Sequence, residues 1–373
     1  MSISIKDIGW GKYSSFEGPY FRGSRKYVLP KNATEAQKRL RVVTATEGGS
    51  YDAVNSYDQC IISIGLIQLC EARYFLTSNL LHYVAETLSP DHVLRPLQPA
   101  LTLTKSTFKK NKAGRWRFHT INDDGSYTEV TTLKQQQDLF LGCSGKIGSW
   151  NDVAKNRAKL WAACMANIWE NTDACMVQAE YLGARLPSYV VKSAKDVLWD
   201  DKNDEGWVGA TRAAYLSFTA NIPATAAKNL ASFLASTDLE KWSEDWCIGL
   251  IKQLTFGKSI SIYPQRYDRI RPWIEDLWNV KLPKDHVALK AWEPKLRDDA
   301  QGITEKQTPL DINISVPSDA FEKTVKVEDA SVKSDSSIVT IREEKQDLSN
   351  LPSWLSWLFG AIGFIFRFIT RKR

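Results

Sequence analysis

The sequence predicts an α+β fold, mostly helical, with a small antiparallel β part near its N-terminal third. Three observations carry that expectation. Residues 101–132 alternate in polarity and hold two turn signals, Lys112-Ala-Gly114 and Asp123-Asp-Gly125, which predicts two or three antiparallel strands. From Trp150 onward apolar residues recur at helical spacing, predicting helices over 151–171, 189–198, 209–236 and 239–253, with loops between. Asn32-Ala-Thr-Glu35 has the form of a capping box, which opens a helix over 33–46.

Between the first helix and the strands the chain is rich in turn formers. Glu47-Gly-Gly ends the helix, and Asp52, Asn55 and Asp58 mark turns. Residues 60–65 read as a short strand or a connection, and 66–87 as a long apolar-periodic helix. Trp161 and Trp169, eight apart on one helix, are assigned to the core, and Trp116 and Trp207 to a groove.

Composition sets the class. The chain has 373 residues, 43% hydrophobic and 25% charged, enough to bury a sizeable core and incompatible with wholesale disorder. No repeat of 20–50 residues appears, which argues against a solenoid or propeller. A net charge of +6 is mild at this length, so no nucleic-acid partner is expected. The one dense basic cluster of the first half, from Lys105 to Arg117, reads as a solvated hairpin tip. Cys60, Cys70, Cys143, Cys164, Cys175 and Cys247 form no C-x-x-C pair and read as reduced, buried small hydrophobes. The four histidines are scattered, so no metal or cofactor is expected. P-loop and G-x-S-x-G motifs are absent, and Gly142-Cys-Ser-Gly145-Lys146 reads as a loop.

The two ends differ. The N-terminus has no basic start followed by an apolar run, so no secretory signal peptide is expected. Residues 354–366 are uncharged and almost wholly apolar, and Arg371, Lys372 and Arg373 follow. Residues 351–373 are therefore expected to form a membrane-anchoring helix, with the lipid bilayer met through 351–369. Ser356, Gly360 and Gly363 form a small-residue strip suited to a homo-oligomer through this helix. Residues 301–350 hold no Trp or Tyr and one Phe, which predicts a flexible linker. Function is thus assigned to 1–300, which hold 12 of the 14 Trp, with a helix plus β part over 33–145 and a helical part over 150–257.

The pattern that points to chemistry is an acid at a helix end, then a turn-rich segment with further carboxylates, then Ser-x-Gly. Glu47 is the acid, Asp52 and Asp58 follow, and Ser63-Ile-Gly65-Leu-Ile-Gln68 completes the set. Glycoside hydrolysis needs such an asymmetric pair: one carboxyl kept protonated to donate to the leaving oxygen, one ionised to activate water or stabilise the oxocarbenium ion. Residues 50–62 would form one wall of a cleft and helices within 150–255 the other.

At these residues the chain resembles the lysozyme superfamily. Lytic transglycosylases place E-S at a helix end with G-L-M-Q downstream, and here Glu47 precedes Gly65-Leu-Ile-Gln68. Phage-type lysozymes have Glu, Asp and then a T-I-G turn, and here Glu47, Asp58 and Ser63-Ile-Gly65 keep that order. The stretch TEGGSYDAVNSYDQCIISIGLIQ also looks like the lysozyme-like domain of large phage virion proteins. The likeness covers about 25 residues, with Gly48 where transglycosylases have Ser. It implies a lysozyme-like domain with extra helices that cleaves peptidoglycan, with Glu47 as general acid and Asp58 or Asp52 as its partner. Substrate contacts would come from Asp52, Asn55, Tyr57, Ser63 and Gln68, and from Tyr215 and Asn221, in the stretch nearest to that family's Tyr-Asn-Ala-Gly motif, which it does not match. An anchor without a signal peptide implies a phage virion or host-envelope location. A non-catalytic phage structural or delivery protein of the same fold, and a membrane-permeabilising toxin, are the alternatives.

Overall fold

In the computed structural model, described residues are 2–72, 75–190, 192–199, 203–220, 223–257 and 264–294. The expected linker and apolar helix, 301–350 and 351–373, lie outside them. Met1–Pro294 forms one compact unit. The mostly helical α+β class expected from the sequence is what it shows.

The chain opens with a β-hairpin the sequence reading did not contain: β1 (Gly9–Tyr13) and β2 (Phe16–Phe21). Helix α1 (Glu35–Glu47) follows. Its N-cap is Thr34, not Asn32. The Thr34 hydroxyl accepts from Gln37 N at 3.3 Å, and Gln37 Oε1 accepts from Thr34 N at 2.9 Å. The capping box is real but sits two residues later, because Gln37 is the residue that can reach back. Gly48 and Gly49, both at positive φ, end the helix.

Three two-residue strands, β3 (Val54–Asn55), β4 (Ser63–Ile64) and β5 (Leu69–Cys70), extend the hairpin into an antiparallel sheet of order β1-β2-β3-β4-β5. This corrects the long helix expected over 66–87. Gln68 and Phe75 adopt positive φ, which no helix interior accepts, and helix α2 begins only at Leu76 (Leu76–Thr87). Helix α3 (Asp91–Leu103) then leads into the second sheet, β6 (Ser106–Lys110), β7 (Trp116–Ile121) and β8 (Tyr127–Glu129), in order β6-β7-β8. The alternation and both Gly turns foresaw these strands. Gly114 and Gly125 each occupy a positive φ in the turns.

A short helix α4 (Leu133–Gln136) precedes the helical half: α5 (Asp152–Asn167), α6 (Thr172–Arg185), α7 (Lys192–Leu198), α8 (Gly206–Thr219), α9 (Pro223–Ser236), α10 (Glu244–Phe256), α11 (Gln265–Trp278) and α12 (His286–Ala291). The helix expected over 151–171 stops at Asn167. Asn171 then caps α6 through its side-chain oxygen, which accepts from Asp173 N and Ala174 N. The helix expected over 209–236 is two helices, α8 and α9. Helices α3, α4, α6, α11 and α12 are additional to those the sequence predicts.

Every residue of α8 from Gly209 to Thr219 is buried. Around it pack α1, α9, α10 and α11. Trp161 and Trp169 are core, as expected. Trp116 stacks on Phe108 and donates its indole N–H to Glu86 at 2.6 Å, so it is a sheet-to-helix strut.

Gly209 is where α8 meets α11 and the 203–205 turn. A Cβ there would overlap the Trp278 indole nitrogen and the Asp204 backbone carbonyl. Gly→Ala within an exposed helix stabilises by about 1 kcal/mol. Here Gly209→Ala is expected to destabilise by about 1–3 kcal/mol, because a backbone carbonyl cannot step aside. Urea unfolding decides between the two signs.

Candidate active-site region at the end of helix α1

Glu47 is the last residue of α1, and its side chain is only 10% exposed. Its carboxylate Oε1 lies 3.0 Å from Arg266 Nη2 on α11 and accepts from the Thr46 hydroxyl at 3.3 Å. Arg266 in turn donates through Nη1 to the Ser217 carbonyl of α8 at 2.5 Å. Three helices thus converge on one carboxylate. The helices that meet at this carboxylate are α8, which falls within the expected 150–255 span, and α11, which lies beyond it. Arg266 went unrecognised in the sequence because α11 did. The signal was present: Tyr267, Ile270, Ile274 and Trp278 are the buried face at spacings of three and four, interrupted by Pro272.

The segment after Glu47 turns back and is fastened to 25–27. Tyr27 N donates to the Gly49 carbonyl at 3.0 Å and Tyr51 N to the Arg25 carbonyl at 2.9 Å. Asp52 is completely buried, and its carboxylate accepts from Ser24 N, the Ser24 hydroxyl and Arg25 N at 2.8–3.1 Å. That corrects its expected role. A carboxylate occupied by three donors and closed to solvent staples the Gly23–Arg25 turn, and it presents no oxygen to a sugar or to Glu47's reaction partner.

Four other candidates share the hairpin wall. Asn55 on β3 pairs with Ser63 on β4. Asn55 Oδ1 accepts from Tyr57 N at 3.0 Å, and its amide donates to Asp58 Oδ2 at 3.4 Å. Asp58 also accepts from Cys60 N at 2.8 Å. Burial pushes the Asp58 carboxyl above its usual range, partly offset by the Cys60 N–H. Tyr57 is half-buried and edge-on to Tyr20. Ser63 is buried within the sheet, between Asn55 and Cys70.

Gln68 sits at the β4–β5 turn and donates to the Gly65 carbonyl at 2.9 Å. The Gly65 position has no room for a Cβ, which would lie 2.5 Å from Gln178 Oε1. Gln178, on α6, is fully buried; it accepts from Leu66 N at 2.8 Å and donates to the Tyr51 carbonyl at 3.3 Å. This clamp across the turn and the post-helix loop has no signature in the local sequence.

Tyr215 is fully buried in α8, and its hydroxyl has no hydrogen-bond partner among the described residues. Burial pushes its phenol upward. It is a core residue, not the open substrate contact expected of it. Asn221 lies outside the described residues.

Cys60 and Cys70 form a disulfide, with Cα atoms 5.1 Å apart. The expectation of six reduced cysteines is therefore corrected for this pair. The β4–β5 hairpin brings together two residues ten apart that composition alone left separate. Cys164, Cys175 and Cys247 are free and buried, and Cys143 is free and half-buried. Among the described residues no group of His, Cys, Asp or Glu could hold a metal ion.

One further carboxyl stands out behind the wall. Glu71 is 2% exposed and caps α2: Ser78 N donates at 2.8 Å and the Ser78 hydroxyl at 2.5 Å. Burial pushes its carboxyl up to about 7, against the Ser78 hydrogen bonds and the Arg117 charge. Arg117 is itself buried and donates to Asn79 at 2.7 Å.

Compared with known proteins, the chain matches no family model, no curated protein and no solved structure.

Glu71 predicts a pH dependence. Its folded value of about 7 lies above the ordinary 4.5, so the folded protein holds the proton that the unfolded chain releases between these values. Stability should therefore fall as pH rises from 4.5 to 7, by about 3 kcal/mol for this group. Glu71→Gln, which keeps an acceptor for Ser78, should flatten that slope in unfolding curves taken across the same range.

Proposed function

We propose that this protein is a peptidoglycan-cleaving glycosidase, a hydrolase or a lytic transglycosylase, with Glu47 as general acid. The observation that carries this reading is the position of Glu47. It is the terminal residue of a packed helix, nine-tenths buried, and directly precedes a hairpin wall that bears Asp58, Asn55 and Gln68. A carboxyl nine-tenths buried at a helix end, with a second carboxyl on the segment that follows it, is the starting arrangement for proton donation to a glycosidic oxygen. Asp58 is the partner carboxylate in this reading, since Asp52 is closed off. Tyr57 and Asn55 line the sugar-facing side.

In this reading the Glu47–Arg266 pair opens when substrate enters. Parted from the guanidinium, Glu47 takes up a proton from solvent and donates it to the glycosidic oxygen at Oε1, while Arg266 remains held by the Ser217 carbonyl. The substrate is peptidoglycan, and the protein acts from a phage virion or at the host envelope. Residues 351–369 contact a lipid bilayer, and their small-residue strip supports self-association. Among the described residues no helix is long and apolar enough to cross a membrane.

A second reading has one observation in its favour. Arg266 and Thr46 occupy the oxygen that a general acid must present. On that reading the chain is a non-catalytic phage structural or delivery protein that keeps the fold for binding.

Digestion of purified cell walls by the full-length protein separates the two. Glu47→Gln is expected to cut the rate by about 10²–10⁴-fold without changing the thermal midpoint by more than a few degrees. Asp58→Asn should cost less if the substrate's N-acetyl group assists. Wild-type protein that binds walls and releases no muropeptides would establish the non-catalytic reading instead.

A further inference from the structure

We propose that the Cys60–Cys70 disulfide is a redox gate on the hairpin wall: oxidation assembles the wall and reduction loosens it. The consequence for wall cleavage rests on the proposed function, but the gate itself does not.

The cross-link joins two points that the candidate site depends on. Cys60 N donates to the Asp58 carboxylate at 2.8 Å, and the Cys60 carbonyl accepts from Ile62 N at 2.7 Å and Ala72 N at 3.1 Å. Cys70 is the direct partner of Ser63 across β4 and β5. The disulfide therefore ties the turn that sets Asp58 to the strand behind it.

The rest of the wall is weakly self-supporting. β3, β4 and β5 are two residues each, shorter than the strands that hold isolated hairpins together. Ile61 and Gln68, inside the closed loop, both adopt positive φ. Non-glycine residues keep that conformation only where their surroundings enforce it. A cross-link that shrinks the loop's open ensemble supplies such enforcement.

The pair is also reachable, in contrast to most of the other cysteines. Cys60 and Cys70 are half-buried. Cys164, Cys175 and Cys247 are buried, and burial pushes their thiols up to about 11, about 12 and about 12. A thiol held that high is a poor nucleophile in exchange. Thiol–disulfide chemistry is therefore directed to one pair, with Cys143 as the remaining accessible thiol.

The oxidant is a small disulfide such as glutathione disulfide. One cysteine thiolate attacks a glutathione sulfur, breaking that S–S bond and releasing one glutathione thiolate. The second cysteine, deprotonated by solvent, attacks the protein sulfur of the mixed disulfide and releases the second glutathione. Two protein thiols lose two protons and two electrons, and one glutathione disulfide becomes two glutathiones. A thiol-reducing cytosol keeps the wall loose, and an oxidising exterior closes it.

The test uses full-length protein equilibrated in glutathione buffers from reducing to oxidising. Alkylation under denaturing conditions, read by mass, should show all six cysteines modified in the reduced protein and four in the oxidised. Amide exchange over residues 58–70 should be about tenfold or more faster in the reduced form, with α8 unchanged. Wall digestion should slow by a similar factor on reduction and recover with glutathione disulfide, while Cys60→Ser/Cys70→Ser stays slow in both buffers. Because the exchange measurement uses the wild-type chain, a variant that fails to fold leaves the test intact. Six modified cysteines in every buffer, or exchange that ignores the redox state, overturns the gate. Equal digestion by the two forms when exchange differs overturns the gate's consequence for wall cleavage. If alkylation and exchange respond as expected and neither form digests walls, the gate stands and the peptidoglycan reading falls.

Discussion

Helix α8 has no solvent face from Gly209 to Thr219, so each helix around it must bring a complementary surface. Its small residues, Gly209, Ala210, Ala213 and Ala214, let neighbours approach closely, and Gly209 admits the Trp278 indole where a side chain would stand. That indole N–H then donates to the Asp204 carbonyl at 2.8 Å and to Glu35 at 3.2 Å, which joins α11 to the start of α1. The direction of α1 follows from this packing, and with it the place where Glu47 emerges.

Charge reinforces the same geometry from within. Asp204 accepts from Arg39 of α1 and, at 2.5 Å, from Arg212 of α8. Both arginines are buried, so their alignment must be kept once formed: removing Asp204 would take a shared carboxylate from two buried guanidinium groups. Arg41 adds a contact of 3.6 Å over the Trp273 ring, again between α1 and α11. The opposite end of α1 carries the Glu47–Arg266 pair. One helix is therefore held at both ends by α11 and along its length by α8.

The hairpin wall obeys a different physics. It is built from two-residue strands, and it draws its order from outside them. Gln178 clamps Leu66 and Tyr51 from α6, Asp52 staples the 24–25 turn, Glu71 caps α2 behind it, and Cys60–Cys70 closes its loop. A rigid helix bundle and an externally braced wall meet at the end of α1. That junction is where the proposed function places substrate entry and the proposed gate places redox control.

Local signals in the sequence determined a good part of this. The Gly turns at 114 and 125 and the alternation around them set the three-stranded sheet, because turn chemistry is local. Gly48-Gly49 stopped α1 at Glu47, and the order Glu47, Asp58, Ser63 was legible as a candidate site. Tertiary structure decided what each of those residues does. Asp52 and Asp58 are both turn carboxylates in sequence, but only the contact with Ser24, 28 positions away, makes Asp52 a buried staple. Tyr215 reads as a motif residue and is core, because α8 is surrounded on all sides. Residues 66–75 have apolar periodicity enough for a helix, yet Gln178 and the Cys60–Cys70 link hold part of them as a hairpin. Gln178 had no local signature, and Arg266 had only the helical spacing of α11; their roles arise only when α6 and α11 come to lie against segments more than a hundred residues earlier.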